Sequence, residues 1–297
     1  MNDSPNRILL SQLIDYAGLF PPASLPMDEA AAGYSEYRKG KYGWVLGRFV
    51  VPVSRLGEFG IAAAGLLPDR PEEPWRLSAI AGRHLDLDLE TILDFNKRHN
   101  GAALIDSIEV RSAHPEEIHE ASEILPECFN VFYEVPICRD LQLLLAVIRM
   151  VGARAKVRTG GITPELFPPA SRLARFIQTC RAEMVAFKAT AGLHHAVRGR
   201  YRLTYEETSG TATMHGFLNV FLAVALAFAG MEIRGTVRVL EEQEAQAFVF
   251  DRSGIEWRGH RLDSEDLAAA RRHLGVAFGS CSFLEPISEL RSLHCIE

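Results

Sequence analysis

Cysteine is scarce in this chain of 297 residues: five copies (Cys128, Cys138, Cys180, Cys281, Cys295), none in a CxxC pair. An odd, patternless set argues against a disulfide framework and against a thiolate zinc site. Positive charge is not in excess either. Lys and Arg number 32 against 38 Asp and Glu, a net charge of -6, so a polyanionic partner such as nucleic acid is not favoured. The opening "MNDSPNRILLSQLIDYAGLF" lacks a basic stretch followed by an apolar core, which speaks against a secretory signal. The longest apolar run, Met214 to Gly230, has 17 residues and carries His215 and Asn219. A bilayer span needs about 20 apolar residues, so a buried helix is the better reading. No G-x-G-x-x-G follows a first strand, and no Pro/Gly/Ser linker divides the chain. The expectation is one soluble, cytoplasmic domain over 1–297, without a membrane partner.

What is present is a rhythm. Short apolar runs occur at 48–53 (RFVVPV), 76–82 (RLSAIAG), 104–110 (LIDSIEV), 130–136 (NVFYEVP), 155–159 (AKVRT) and 184–190 (MVAFKAT). Segments with helical spacing lie between them. The strands start roughly 24–30 residues apart, the length of one strand-plus-helix unit with short loops. Repetition of such units predicts a parallel sheet with helices outside. Beyond 190 follow a polar loop, the buried helix, a hairpin around Ser253-Gly254, a helix, a strand "GVAFGSCS" and a short helix. The fold expected is α/β, a (β/α)8 TIM-type barrel, with 1–46 as an N-terminal helical extension and 247–262 as a hairpin excursion. Its seventh strand is expected between Ile233 and Phe250. An open doubly wound sheet is the alternative. One local repeat, "LFPPAS", occurs at 19–24 and at 166–171, and it reads as a stiff, stapled helix entry.

Strand side chains alternate between the helix layer and the barrel interior. If the more apolar set of each strand faces the helices, then Glu109, Glu134, Lys156, Arg158, Lys188 and Thr190 point inward. Asp106 falls awkwardly on the outer set. The inward charges lie near the C-terminal ends of consecutive strands, the face where barrel enzymes place their active sites. Lys188, Lys156, Glu134 and Glu109 are the candidate catalytic residues. A lysine in a dry pocket near a second cation loses its proton more readily and can attack a carbonyl to form an imine. A glutamate with a pKa raised by burial could then shuttle protons. Spacing does not decide which lysine is the nucleophile.

Three glycine-bearing strand ends, "RTGGI" (Arg158, Thr159, Gly160, Gly161), "ATAGL" and "FGSCSF" (Gly279, Ser280), are candidates for cradling a phosphate or carboxylate. His194, His195 and His215 are candidates for substrate contact, with a His/Glu metal-dependent enzyme as an alternative. The primary reading assigns no metal and no cofactor. The loop 196–213 is long for a barrel connection and could serve as a lid.

"FKATAG", "AKVRTGG" and "FGSCS" together resemble the class I, Schiff-base aldolases of the deoxyribose-phosphate aldolase kind. That resemblance implies a (β/α)8 barrel with an imine-forming lysine on strand six and a second lysine close by. Carried over, Lys188 would be the imine-forming residue, Lys156 the supporting cation, and Gly279 with Ser280 part of a phosphate cradle. In that family the second lysine and a Gly-Gly follow the nucleophile's strand, whereas "AKVRTGG" precedes "FKATAG" here. The function expected is a lyase acting on a small phosphorylated or carboxylated carbonyl compound. A phosphate-ester-binding transferase or isomerase without imine chemistry is an alternative, as is a non-catalytic metabolite-binding protein. The partner expected is a small-molecule substrate, and a homo-oligomer stays open.

Overall fold

The computed structural model describes residues 4–69, 73–99 and 101–297. Eight strands, all paired in parallel, close into a barrel. In chain order they are β1 (Ile14–Tyr16), β2 (Leu46–Pro52), β3 (Trp75–Ile80), β4 (Ala103–Arg111), β5 (Asn130–Glu134), β6 (Arg154–Arg158), β7 (Phe187–Thr190) and β8 (Gly275–Ser280). Closure joins β8 to β1, with Ile14, Asp15 and Tyr16 opposite Phe278, Gly279 and Ser280. The (β/α)8 reading holds, and the open doubly wound alternative falls away.

Two expectations about the elements are corrected. The segment 1–46, whose first three residues lie outside the described ones, is not a mere extension, because Ile14–Tyr16 is the first barrel strand. The opening helix stops at Leu10. The interval 233–250 holds no barrel strand; Ile233–Glu241 is a helix. Its amphipathic spacing packs Gly235, Thr236, Val239 and Leu240 inward. The strand "AKVRT" is therefore the sixth and "FKAT" the seventh. The late excursion is a three-stranded antiparallel sheet, Phe248–Asp251, Gly254–Trp257 and His260–Leu262, tied to the end of the helix Ile233–Glu241 by Glu242, which accepts from Trp257 Nε1 at 3.0 Å and Arg258 Nε at 2.6 Å.

The apolar run after β7 forms the helix Phe217–Phe228, in which every residue from Phe217 to Ala227 is buried. Phe217 and Phe221 pack on Phe278 of β8, with centroids 5.1 and 5.8 Å apart. Among the described residues no helix is long and apolar enough to cross a membrane.

The position of Asp106 has a local cause. Leu77 faces Ile105 across the β3–β4 pair, but the next residue, Ser78, faces Ser107. The extra residue is Asp106, and such a bulge shifts the side-chain alternation by one. Phe49 packs on Tyr34 and Phe59 of the outer helices, so its neighbour Arg48 lies on the inner face. Asp106 meets Arg48 there, accepting from Nε at 2.6 Å and an Nη at 2.8 Å, and pairs with Arg76 at 3.0 Å. This cluster fills the N-terminal end of the barrel, opposite the candidate site.

Candidate functional site

At the C-terminal end of the barrel an ionic relay crosses the interior from β1 to β6. Lys188 Nζ lies 2.6 Å from Asp15 Oδ2 and 2.6 Å from Glu109 Oε1. Lys156 Nζ lies 2.7 Å from Glu109 Oε2 and 2.7 Å from Glu134 Oε2. Glu134 Oε1 then faces Arg158 at 3.4 Å and Arg111 at 3.7 Å. The signs alternate throughout, as buried charges require if each is to keep a partner. Ser78 donates to Glu109 Oε1 at 2.7 Å, and the ring of Phe132 lies beneath Lys188, with Nζ 5.3 Å from its centroid.

This environment sets the protonation states. Burial pushes Glu109 up, but the ammonium groups of Lys156 and Lys188 outweigh it and hold Glu109 well below the usual carboxylate range. Glu134 is also lowered: burial opposes the shift, and Lys156, Arg158 and Arg111 drive it. For Lys188 burial disfavours the charge, yet Asp15 and Glu109 more than compensate and raise its pKa. The expected depression of Lys188 by a neighbouring cation is therefore reversed, and neither glutamate has the raised pKa expected of a proton shuttle. The nearest groups to each ammonium are carboxylates, not the other ammonium.

Above the relay opens a cavity of about 590 Å³. Lys156, Lys188, Glu109 and Glu134 line it, as do Arg158, Gly161, Thr190, His194 and Gly279 among the residues expected from the sequence. Thr159, Gly160, Ser280, His195 and His215 lie outside its lining. The hydroxyl of Thr159 donates to Ala191 O at 2.7 Å, and that of Ser280 donates to Ser282 O at 2.7 Å. Gly160 is a close-approach glycine: a Cβ there would collide with the Phe167 ring and with Cα of Gly192. Thr159 and Gly160 thus hold the loops after β6 and β7 together, and Ser280 closes its own turn after β8, instead of presenting donors to a ligand.

The histidines diverge. Only His194 lines the main cavity; burial, helped by the adjacent His195, pushes its pKa down to about 4, so it is neutral near pH 7. Its Nδ1 lies 3.7 Å from Cys281 Sγ. His195 bonds Glu289 at 2.6 Å and stacks on Tyr201 at 3.5 Å between centroids. His215 Nε2 lies 2.7 Å from Pro168 O, the contact of a ring donor with a carbonyl. Among the described residues no group of three or more His, Cys, Asp or Glu is placed to hold a metal ion.

The polar loop after β7 contains an antiparallel hairpin, Gly199–Arg202 with Thr211–Met214. Leu203, Ala212 and Met214 pack against Phe167. Its tip residue Tyr205 reaches across to Glu285 at 3.2 Å. Both LFPPAS copies stand at the rim, after β1 and after β6. Phe20 and Pro21 of the first and Leu166 of the second contribute apolar wall to the cavity.

Sequence reasoning missed Asp15, Arg83, Arg111, Phe132 and Cys281. The signal for Asp15 was a lone carboxylate between Ile14 and Tyr16, in a strand too short to display alternation. In comparisons with family models, curated proteins and solved structures, nothing matches the chain.

Proposed function

We propose that this chain is an aldolase-type lyase acting on a small anionic carbonyl compound through an imine on Lys156. The observation that carries the reading is the division of labour around Glu109. Its two oxygens hold two lysines, but only Lys156 is also paired with the mouth-side carboxylate Glu134. Lys188, locked between Asp15 and Glu109, serves as a permanent cation. Counting strands from Ile14–Tyr16 makes Lys156 the strand-six lysine and puts the second lysine after it, the order that the aldolase resemblance requires. The Gly-Gly still follows Lys156, not Lys188.

The steps balance without any redox partner. Lys156 gives up a proton to a neutral base in the cavity, and its lone pair adds to the carbonyl carbon. The carbonyl oxygen takes up two protons in all and leaves as water, giving an iminium. A base in the cavity takes the proton of the hydroxyl on the carbon beyond the bond that breaks. That oxygen forms the new C=O, the carbon–carbon bond next to the iminium carbon's neighbour breaks, its electron pair moves into the iminium to leave an enamine, and an aldehyde or ketone departs. The enamine left behind is protonated at carbon, and water hydrolyses it to regenerate the lysine. The neutral His194, which lines the cavity, moves these protons, while Glu134 stays ionised as the counter-charge at the mouth.

The test is borohydride reduction in the presence of small aldehydes and keto acids, read by intact mass and peptide mapping. The adduct is expected on Lys156. Lys156→Arg keeps a cation for Glu109 and Glu134 but cannot form the imine, so it should give no adduct. A second reading has its own observation: both lysines are ion-paired at rest, as electrostatic anion holders would be. Binding of phosphate esters with no adduct on any lysine would favour that transferase or isomerase reading.

A further inference from the structure

The relay carries two ammonium groups against three carboxylates, one negative charge in excess. The rim reverses this. Arg83, Arg111 and Arg158, from the ends of β3, β4 and β6, all line the cavity, and turn the deficit into an excess of two positive charges. Their guanidinium groups are underused. Arg111 and Arg158 share one oxygen of Glu134 at 3.7 and 3.4 Å, and Arg83 makes no ion pair with any described residue. Arg111 keeps 80% of its side-chain exposure and Arg158 keeps 42%. The remainder of the rim is largely apolar, with Phe20, Pro21, Ile162 and Leu166. At the glycine turns the hydroxyls of Thr159 and Ser280 are committed elsewhere, to Ala191 and Ser282, and Phe167 covers Gly160; Gly161 and Gly279, which line the cavity, bring no side-chain donor.

We infer that Arg83, Arg111 and Arg158 form an oxyanion subsite that fixes the charged end of the substrate, in place of the glycine turns after β6 and β8. Guanidinium forks match the paired oxygens of a phosphate monoester or a carboxylate. Arg158 lies two residues beyond Lys156 on the same strand, about 7 Å further toward the mouth. Lys156 Nζ and an Nη of Arg158 contact the two oxygens of one carboxylate, Glu134, at 2.7 and 3.4 Å, so one small carbonyl compound can reach both. The inference rests on the reading of the cavity as a carbonyl-processing site, but binding and imine formation are separately measurable.

Inorganic phosphate and acetate are titrated calorimetrically into the wild-type protein and into Arg83→Gln, Arg111→Gln, Arg158→Gln and Gly279→Ala, at low fixed ionic strength. Each arginine variant should weaken binding about tenfold, with thermal stability unchanged for the exposed Arg83 and Arg111. Gly279→Ala should bind as wild type does. Tighter phosphate assigns the subsite to a phosphate monoester, and tighter acetate assigns it to a carboxylate. The inference is overturned if wild type binds neither ion, if the arginine variants bind as wild type does, or if only Gly279→Ala loses binding. Wild-type protein that binds phosphate but gives no borohydride adduct would remove the imine and leave the subsite. The reverse result would remove the subsite alone.

Discussion

Lys156 and Lys188 are register partners on adjacent parallel strands, both buried and both facing the barrel axis, and their ammonium groups are kept apart by the two oxygens of one carboxylate, Glu109. Two cations side by side in a dry interior repel each other, so the site exists only while that carboxylate is ionised. Glu109→Gln preserves shape and removes the charge. Breaking a buried pair from one side typically costs about 3–5 kcal/mol, and here two pairs are broken at once. Urea unfolding should show a loss of at least that size. The double variant Glu109→Gln/Lys188→Met, which removes one of the stranded cations, should lose less than the single variant. A single variant within about 1 kcal/mol of wild type would mean that the relay does not hold the barrel together.

The same carboxylates predict a stability loss in acid, with a defined sign. Glu109 and Glu134 are depressed in the folded state. Their contribution is complete above the unfolded value of about 4.3 and fades as pH falls through it, because the unfolded chain then binds more protons. His194 and His215 act earlier in the same direction. Each titrates at about 4 when folded against about 6.5 unfolded, so stability falls as pH drops through that interval. Urea midpoints between pH 7 and pH 3 should decline in two stages. Glu109→Gln should flatten the lower stage and leave the upper one intact. A midpoint independent of pH over this range would contradict the assigned protonation states.

His215, a candidate for substrate contact, instead binds three segments together. One ring nitrogen meets Pro168 O at 2.7 Å and the other meets an Nη of Arg198 at 3.2 Å. It thereby joins the second LFPPAS turn and the hairpin base to the start of the buried helix. Burial, only partly offset by the bond to Pro168, keeps it neutral, so Nδ1 can accept from the guanidinium. His215→Ala leaves buried polar partners unpaired, at about 1–3 kcal/mol. Trypsin should then cut faster at Arg200 and Arg202, on the loosened hairpin. Unchanged cleavage would show that the hairpin is held by its packing on Phe167 alone.

The barrel and most of the relay were legible because alternation shows wherever an apolar run is long enough to display both of its faces. "AKVRT", "NVFYEVP" and "LIDSIEV" each show an apolar set and a charged set, and the charged set is the one that converges. What could not be read has identifiable causes. Strand β1 has three residues, all buried, too few for a period of two to emerge; missing it displaced the count of the next six strands by one and left a gap that was filled by expecting a seventh strand between Ile233 and Phe250. Asp106 broke the pattern because a one-residue slip against β3 turns it to the inner face. Thr159, Gly160 and Ser280 looked like an anion cradle because glycine and hydroxyl residues at strand ends serve both ligand binding and loop packing. Only the positions of Phe167 and Ser282 separate the two uses.

On the proposed imine reading, Asp15 is what keeps Lys188 from being the reactive lysine. Its Oδ1 accepts the backbone N–H of Arg48 at 2.8 Å, and its Oδ2 pairs with Lys188 at 2.6 Å. In Asp15→Asn the side-chain oxygen is expected to keep the Arg48 bond, which turns the amide NH2 group toward the ammonium of Lys188. A donor then faces a donor where a carboxylate stood, and Lys188 retains only Glu109 as a counter-charge. Asp15 is one of the groups that raises the pKa of Lys188, so its neutralisation makes that proton easier to lose. Wild-type protein reduced with borohydride and a small aldehyde should carry its label on Lys156. Asp15→Asn should carry it on Lys188 as well, with the second label increasing as pH rises. If Asp15→Asn still labels Lys156 alone up to about pH 9, where a loosened lysine with an unperturbed pKa near 10.4 is already partly neutral, then the charge on Lys188 is not what keeps it unreactive. Labelling of Lys188 in the wild-type protein would instead exchange the roles of the two lysines.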